Sequence, residues 1–434
     1  MSGAILAAFF VISLIISLVW RARDQRVWNK NADLLDALGQ DSIAIPDTII
    51  PRIHADRCIG SGACVDACPE KKVIGLVDGR AVLLTPSACV GHSECTAACP
   101  VNAIEMVFGT EDYGVSVPEI DDDLQTRLPG VYVAGEATGV SLIRNAVRMG
   151  RQVAATVMES GRRGAGDVFD ALIIGAGPAG LSAALSLQAQ GLRVQVVERD
   201  VPLATLHGFP KGKRVQTGGL ELVGQPKIRG AAMAKEQLLA LLGSAAALVP
   251  VAGNESVRAL ESASGGHWMV KSDRAVRAAA NVIVAMGRRG AARKLEVPGA
   301  DAPKVLYGLR EPAICNDKHV LIVGGGNAAI ESVFAVLDHA RPASVTLSYR
   351  RGRLSRLRAD NAVRFERELR RGRVTVLFGT DLTRIEPSAV HLVDDKGHGG
   401  SIANDIVIAQ LGGSSPVAEL SRFGITVVEK RGFR

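Results

Sequence analysis

The sequence predicts an α/β protein in which two domains built on parallel βαβ units accompany a small cysteine-rich α+β domain and one N-terminal apolar helix. Two short apolar segments, Ala171 to Ile174 and Val320 to Val323, are each followed by a glycine-rich turn and a helical segment, as in a parallel βαβ unit. Six of the seven cysteines fall into two clusters 31 positions apart, which favours metal ligation in a reducing compartment over disulfides. The 434 residues are enough for about three domains.

The composition suits a globular protein and gives no sign of a nucleic-acid partner. Hydrophobic residues make up 47% of the chain, and its 47 glycines suit an α/β protein with many turns. The net charge of +7 is scattered, and no basic run is interleaved with aromatic residues. We therefore expect the positive surplus to serve phosphate-rich cofactors and a membrane surface.

The first predicted element is a membrane anchor. Residues Ala4 to Trp20 form an apolar run of 17 residues interrupted only by two serines, which is the short end of what spans a bilayer. The run lacks the charged region that precedes a cleavable signal, and four cations follow it: Arg21, Arg23, Arg26 and Lys30. We expect residues 1–20 to be a single-pass anchor in the cell membrane, with the catalytic body in the cytoplasm. A buried or interfacial helix is the alternative. Residues 21–46 then form a polar juxtamembrane linker, with a short helix over Asp33 to Leu38.

The two cysteine clusters form an internal repeat. Residues 58–69 read Cys-Ile-Gly-Ser-Gly-Ala-Cys-Val-Asp-Ala-Cys-Pro, and residues 89–100 read Cys-Val-Gly-His-Ser-Glu-Cys-Thr-Ala-Ala-Cys-Pro. Both resemble the C-x2-C-x2-C-x3-C-P run of bacterial dicluster ferredoxins, in which the fourth cysteine ligates the other cluster. Each copy departs from that run at its second cysteine, which is Ser61 in one and His92 in the other. The resemblance implies a dicluster ferredoxin-like domain over residues 47–109.

Mapped by spacing onto that resemblance, the cysteines form two iron-sulfur sites. The candidate ligands of the first site are Cys58, Cys64, Cys99 and Ser61. The candidate ligands of the second site are Cys89, Cys95, Cys68 and His92. Three outcomes stay open. Serine and imidazole can complete a 4Fe-4S cluster, three thiolates can hold a 3Fe-4S cluster, or the cysteines can be small core residues without a cluster.

A flavin motif is predicted between the ferredoxin-like domain and the first glycine-rich turn. Residues Leu128 to Gly139 read Leu-Pro-Gly-Val-Tyr-Val-Ala-Gly-Glu-Ala-Thr-Gly, and a helix is expected over Ser141 to Glu159. This resembles the second flavin motif of the thioredoxin-reductase-like flavoproteins. The resemblance implies that Gly135 and Glu136 approach the flavin, with the acid on the ribityl chain. The helix dipole favours negative charge on a reduced flavin.

The first βαβ unit predicts the FAD site. Its turn has the G-x-G-x-x-G pattern, a helix is expected over Leu181 to Gln190, and the strand Arg193 to Val197 ends at an acid 23 positions after the first glycine. The turn's glycines permit a tight bend, approach of a pyrophosphate and close helix packing, while the acid can bind a ribose. The candidate FAD-binding residues here are Gly175, Ala176, Gly177, Pro178, Ala179, Gly180, Glu198, Arg199 and Lys211.

The order of these segments differs from that of the thioredoxin-reductase-like family. In that family the Glu136 motif comes last, whereas here it precedes the first glycine-rich turn. We therefore predict a circular permutation, tolerated because chain termini often lie close together at the surface. Residues 110–161 would be the displaced C-terminal part of the FAD domain, 162–300 its main part and 411–434 a return segment. The permutation predicts that Arg434 lies near residues 110–118.

The second βαβ unit predicts an NAD(P)-binding domain over residues 301–410. Its turn has the G-x-G-x-x-A pattern, and its candidate nucleotide-binding residues are Gly324, Gly326, Asn327, Ala328, Arg350 and Arg351. The strand Ser344 to Ser348 is followed by Tyr349 and two arginines rather than by an acid, so NADP(H) is favoured over NAD(H). Arg353, Arg356 and Arg358 either extend that pocket or form a solvated basic face on a helix over residues 354–371.

These features together predict a membrane-anchored flavoprotein oxidoreductase that moves electrons between NAD(P)H, FAD and two iron-sulfur clusters. The absence of a C-x-x-C beside the second nucleotide domain makes dithiol chemistry at the lone Cys315 improbable. The resemblance leans toward ferredoxin–NADP reductases on the same scaffold. No side-chain acid or base is assigned, because hydride transfer to a flavin needs none. The identity of the electron partner, a protein or a small molecule, stays open. Whether the chain forms a homodimer also stays open. The alternatives are a flavin-only reductase of a small substrate and a non-catalytic redox or nucleotide sensor.

Overall fold

The computed structural model divides the chain into two compact units. The residues it describes are 2–38, 48–70, 73–109, 114–228, 230, 232–287, 293–354, 357, 359–412 and 416–432. The first unit comprises Met1–Tyr113 with Arg431–Arg434, and the second comprises Gly114–Lys430.

The first unit contains a long helix and a small α+β domain. Its elements are α1 (Ser2–Leu38), β1 (Ile49–Ile53), α2 (Ala63–Ala67), β2 (Ile74–Val77), β3 (Arg80–Leu83), a 3₁₀ turn (Pro86–Ala88), α3 (Glu94–Ala98) and β4 (Ile104–Phe108). Strand β1 pairs with β4 and β2 pairs with β3, both antiparallel. The small core of this domain includes Cys64 and Cys95 beside Val73, Ile74 and Ile104.

The N-terminal helix differs from the prediction. The expected linker over residues 21–46 is helical as far as Leu38, because no proline interrupts α1 and its last turns pack on the small domain. The Asn31 side chain donates a hydrogen bond to the carbonyl of Leu76 at 2.8 Å. The predicted transmembrane anchor over residues 1–20 is not supported: within the described part of the chain, no helix combines the length and apolarity needed to cross a bilayer. Residues 39–46 lie outside the described residues.

The second unit begins with an FAD-type α/β domain. Its strands are β5 (Val115–Pro118), β6 (Val131–Val133), β7 (Phe169–Ile174), β8 (Val194–Val197), β9 (Arg214–Gln216), β10 (Ala232–Ala234), β11 (Val251–Ala252), β12 (Val257–Ser262), β13 (Trp268–Ser272) and β14 (Val276–Val284). Its helices are α4 (Ile143–Glu159), α5 (Pro178–Gln188), α6 (Ala204–His207) and α7 (Lys235–Ala246).

The central sheet of this domain is parallel around β7, as the predicted βαβ unit requires. The parallel strands follow the order β11, β8, β7, β14, and β6 also pairs with β14. Strands β12 and β13 extend β14 as an antiparallel meander, and Gly265 and Gly266 have positive φ between them. The apolar run of β7 is buried on both faces of the sheet, which explains its lack of alternation.

The rest of the second unit is a smaller α/β domain followed by a return segment. The smaller domain contains β15 (Val305–Leu306), a 3₁₀ turn (Pro312–Cys315), β16 (His319–Val323), α8 (Asn327–His339), β17 (Ser344–Tyr349), α9 (Ala359–Arg370), β18 (Thr375–Phe378), β19 (Thr380–Ile385), β20 (Ala389–Asp394), β21 (Gly399–Ala403) and β22 (Ile406–Ala409). The return segment contains α10 (Val417–Arg422) and β23 (Val427–Lys430). Five strands form a parallel sheet in the order β15, β22, β16, β17, β18, and β19 to β21 form an antiparallel sheet.

The return segment packs on the FAD-type domain. Strand β23 pairs antiparallel with β5, so that Val427 lies opposite Pro118 and Lys430 lies opposite Val115. Leu420 and Phe423 join a core cluster that also contains residues of β6, β7 and β14. The permutation predicts that Arg434 lies near residues 110–118. Arg434 and residues 110–113 lie outside the described residues.

Candidate functional site

The first glycine-rich turn is shaped by two close approaches. Gly175 has φ +106°, and a Cβ there would lie 2.5 Å from the carbonyl oxygen of Ala285. A Cβ on Gly180 would lie 1.9 Å from the carbonyl oxygen of Gly175, so only glycine permits this contact between α5 and β7. Gly177 differs because a Cβ there would have no atom within 4 Å. The turn therefore leaves open space at Gly177, directly before the N-terminus of α5.

Glu198 ties the end of β8 to this turn. One carboxylate oxygen accepts a hydrogen bond from the Ala176 amide at 2.7 Å, and the other accepts one from the Asp200 amide at 2.9 Å. The sequence predicts a ribose contact for this acid, and the structure adds a role in positioning the turn. Each carboxylate oxygen keeps a further acceptor site for a ligand hydroxyl.

The segment that carries Glu136 lies beside the same turn. A Cβ on Gly135, whose φ is +76°, would lie 2.8 Å from the Cβ of Ala179. Helix α4 crosses α5 closely, since a Cβ on Gly150 would lie 2.3 Å from the Ala179 carbonyl oxygen. The Ser182 hydroxyl also donates a hydrogen bond to the carbonyl of Val147 at 2.8 Å. Two motifs that are distant in sequence therefore converge on one place.

A cavity of about 690 Å³ joins these motifs. The predicted FAD-binding residues that line it are Gly135, Glu136, Gly175, Gly177, Pro178, Ala179, Glu198, Arg199 and Lys211. The Lys211 ammonium lies 3.6 Å from the Glu311 carboxylate and is largely exposed. Ala176 and Gly180 contribute to the turn behind this surface. The open helix N-terminus, the glycine cradle and the cavity size fit a dinucleotide such as FAD.

The second glycine-rich turn repeats this geometry. Gly324 has φ +136°, and a Cβ there would lie 2.4 Å from the Gln410 carbonyl oxygen, whereas a Cβ on Gly326 would meet nothing within 4 Å. Helix α8 starts at Asn327 and continues through Ala328, and the Asn327 side-chain oxygen accepts a hydrogen bond from Asn361 at 2.9 Å. The second turn therefore also presents an open helix N-terminus, which suits a nucleotide phosphate.

Arginines follow the strand next to that turn. Arg350 and Arg351 are exposed directly after β17, as is Arg353 two positions later. A Cβ on Gly325 would lie 2.4 Å from the ring of Tyr349, so this ring rests against the turn itself. Arg356 and Arg358 lie outside the described residues.

The cysteines are brought together in the two sets that the spacing predicts. Cys58, Cys64 and Cys99 line one small cavity together with Ser61. Burial raises the pKa of the Cys64 thiol, and the nearby Cys58 and Cys99 raise it further.

The second set contains Cys68, Cys89 and Cys95. Burial raises the pKa of the Cys89 thiol to about 12, with Cys95 and Cys68 as further causes. Among the described residues, no group of three or more His, Cys, Asp or Glu side chains is placed to hold a single metal ion. Ligands of a cluster bind different irons, so they do not need to meet at one point. The convergence of three thiols in each set fits an iron-sulfur cluster better than a single ion.

Comparison with known protein families identifies the larger unit. Residues 172–433 match the family model described as pyridine nucleotide-disulphide oxidoreductase. The chain belongs to the pyridine nucleotide-disulphide oxidoreductase family. Residues 50–100 match the 4Fe-4S dicluster domain, so this member carries such a domain at its N-terminal side.

Several relatives of the family unit are similar to this chain. A ferredoxin–NADP reductase from Ignicoccus hospitalis is 30% identical over 191 residues, which are 42% of this chain and 56% of the relative. A ferredoxin–NADP reductase from Thermus thermophilus is 31% identical over 228 residues, 51% of this chain and 65% of the relative. The chain thus spans between half and two thirds of the length of these two relatives.

A solved structure supports the fold. The bacillithiol disulfide reductase Bdr (YpdA) from Staphylococcus aureus has a TM-score of 0.52 and 22% sequence identity. The similarity covers 60% of this chain and 81% of that protein. At this level of identity the comparison shows that the thioredoxin-reductase-like α/β fold is shared.

Cys315 is not part of a C-x-x-C sequence in this family member. It is the one cysteine outside the two clusters of the sequence, and it is fully buried. Burial raises the pKa of the Cys315 thiol to about 11, so the nucleophilic thiolate is disfavoured at neutral pH.

One wall of the large cavity is not predicted from the sequence. Glu331, Phe334 and Asp338 line it from one face of α8. The Glu331 carboxylate accepts a hydrogen bond from the Lys213 ammonium at 2.8 Å, and that ammonium lies 4.2 Å from the centre of the Phe209 ring. These three residues are spaced three and four positions apart, which predicts that they share one face of a helix. The spacing does not predict which residues that face contacts.

Proposed function

We propose that this chain is an NADPH-dependent flavoprotein oxidoreductase that exchanges electrons with its own iron-sulfur domain. The observation that carries the proposal is the cavity in which Gly135 and Glu136 meet the turn at Gly175 and Gly177. When bound, FAD supplies the conversion between two-electron and one-electron transfer. The ferredoxin–NADP reductases among the relatives support the same class of reaction.

The chain's own residues have binding and orienting roles in this proposal. The amides at the start of α5 and the open backbone at Gly177 hold the pyrophosphate of FAD. Glu198 binds a ribose hydroxyl while it keeps the turn in place, and Glu136 orients the ribityl chain. Arg199 and Lys211 add positive charge at the cavity wall.

NADPH is the proposed pyridine nucleotide. The open N-terminus of α8 at Gly326 suits its pyrophosphate. Arg350 and Arg351 follow β17, where an acid would select the 2′-hydroxyl of NADH and a guanidinium instead suits a 2′-phosphate.

We also propose that the N-terminal helix attaches the protein to the cytoplasmic face of the cell membrane. The large apolar side chains described from Phe10 to Trp20 are each more than half exposed on α1, which suits contact with lipid. Arg21, Arg23 and Arg26 follow at once and suit anionic lipid headgroups. Flotation of the full-length chain with vesicles of anionic phospholipid tests this, and a chain that stays at the bottom of the gradient contradicts it.

We infer that the family unit is circularly permuted. The pairing of β23 with β5 supports this, because it joins the return segment to the segment that carries Glu136. The test is a variant in which residue 430 is linked to residue 114 and new termini are opened between Gly161 and Gly166. This reordered unit is expected to fold and retain FAD. A reordered unit that aggregates without flavin contradicts the permutation.

Anaerobic titration with NADPH tests the electron-transfer proposal. Flavin absorbance and the paramagnetic signal of the clusters are followed together in the full-length, reconstituted protein. The expected result is flavin bleaching accompanied by a cluster signal. Bleaching without any cluster signal supports a flavin-only reductase, and the absence of bleaching supports a nucleotide or redox sensor. Both results contradict the proposal.

A further inference from the structure

The two cysteine repeats keep the same backbone where each lacks a cysteine. Gly60 and Gly91, which precede the replaced position, have φ of +69° and +77°. Gly62 and Ser93, which follow it, have φ of +74° and +64°. A left-handed conformation is unfavourable for a non-glycine residue such as Ser93. The loop shape is therefore maintained in both repeats, and Ser61 and His92 occupy equivalent positions.

At the first site the replaced position still faces the thiols. Ser61 lines the small cavity with Cys58, Cys64 and Cys99. The Ala81 amide donates a hydrogen bond to the Cys58 sulfur at 3.3 Å, and the Ala103 amide donates one to the Cys99 sulfur at 3.2 Å. Amide donors at sulfur stabilise thiolate ligands, so Cys58 and Cys99 are well prepared to bind a cluster.

The fourth ligand position, where each repeat lacks a cysteine, differs in chemistry between the two sites. The Ser61 hydroxyl is exposed to solvent and is neutral at pH 7, so water competes with it as an iron ligand. His92 is half-buried, and a neutral imidazole is a common and competent metal ligand. Gly91 beside it is buried against Thr48 and Ile49, which limits the access of water to this loop.

We propose that the first site holds a cluster with an exchangeable fourth iron, whereas His92 fixes the corresponding iron of the second site. This inference rests on the iron-sulfur part of the proposed function. In the step, [4Fe-4S]²⁺ yields [3Fe-4S]⁺, Fe²⁺ and one electron, and a one-electron oxidant such as ferricyanide takes the electron. The three thiolates and all four sulfides stay in place. Fe²⁺ and a one-electron reductant reverse the step. The first site thus responds to Fe²⁺ and oxidant, and the second does not.

The test uses the full-length protein, reconstituted without oxygen and treated with a small excess of ferricyanide. Released Fe²⁺ is measured with a chelator, and the three-iron cluster is measured by its paramagnetic signal. The wild type is expected to release about one Fe²⁺ per chain and to gain one three-iron signal. Ser61→Cys, which supplies a thiolate, is expected to release almost none. His92→Cys is the matched control and is expected to behave as the wild type.

The outcomes separate this inference from the proposed function. Release of no Fe²⁺ by the wild type, or of about two per chain, overturns the inference while the clusters themselves are present. Equal release by the wild type and Ser61→Cys overturns it as well. Should Ser61→Cys fail to fold, Ser61→Ala must still release as much as the wild type, and His92→Ala must release about one Fe²⁺ more. A reconstituted protein that holds no iron or sulfide contradicts the iron-sulfur part of the proposed function instead.

Discussion

Alanine at Gly177 and at Gly180 should separate the fold of the first glycine-rich turn from its ligand site. The new methyl group of Gly180→Ala would lie 1.9 Å from the Gly175 carbonyl oxygen. Ordinary separation requires α5 to move by roughly 1.5 Å. Helix α5 also contacts α4 closely at Gly150, so the movement strains two contacts in one core.

The two substitutions have different expected costs. Overpacking of this kind costs about 1–3 kcal/mol or more, so Gly180→Ala should lower the free energy of unfolding of the FAD-free protein by at least that amount. Gly177→Ala meets no atom within 4 Å and its φ is −83°, so the FAD-free protein should keep its stability to within about 0.5 kcal/mol. Its methyl group instead occupies the space proposed for the pyrophosphate, so FAD affinity should fall.

Denaturant unfolding of the FAD-free variants and flavin titration measure the two effects. The expected pattern is a stability loss confined to Gly180→Ala and, for Gly177→Ala, a fall in FAD affinity of about tenfold or more. Wild-type FAD affinity in Gly177→Ala would refute the assignment of the open space to the cofactor. Unchanged stability of Gly180→Ala would refute the contact between α5 and β7.

Three further predictions concern other parts of the second unit. The Arg277 guanidinium holds the pKa of the buried Glu255 carboxyl below its ordinary value, so this pair stabilises the fold above about pH 4 and the contribution is lost as the pH falls through the lowered pKa. Glu255→Gln should therefore lower the free energy of unfolding at pH 7 by about 3 kcal/mol. As the pH is lowered, the urea midpoint of the variant should fall less steeply than that of the wild type. Parallel pH profiles of the two proteins would contradict this. Replacement of Arg350 and Arg351 by alanine should reduce kcat/KM for NADPH by about 10- to 100-fold and leave that for NADH nearly unchanged, whereas an equal loss for both nucleotides would exclude a 2′-phosphate site. Cys315 should resist alkylation by iodoacetamide at pH 8 in the native protein and react after unfolding, because burial raises the pKa of its thiol to about 11. Peptide mass measures the alkylation, and fast labelling of the native protein would contradict this.

Local features were predictable because residue type alone imposes them. The two glycine-rich turns require positive φ and close backbone approach at Gly175 and Gly324, and both demands exclude a side chain whatever the surroundings. The 31-residue repeat likewise predicts how the cysteines divide into two sets, because two segments with the same cysteine spacing place their cysteines in the same geometry. The extent of α1 was harder to predict, because the helix continues through polar residues whose stability comes partly from packing at Asn31.

The sequence by itself determined the kinds of site in this protein: two nucleotide turns, a second flavin motif and two sets of thiols. Only the tertiary structure decided which of them share a cavity. Glu136 meets Gly177 because β6 and β7 both pair with β14, and no local pattern specifies such a neighbour. The contact of Lys213 with Glu331 likewise depends on two domains of the second unit packing together. Backbone constraints act within a few residues, whereas a cavity is closed by segments that only the packed sheet brings together.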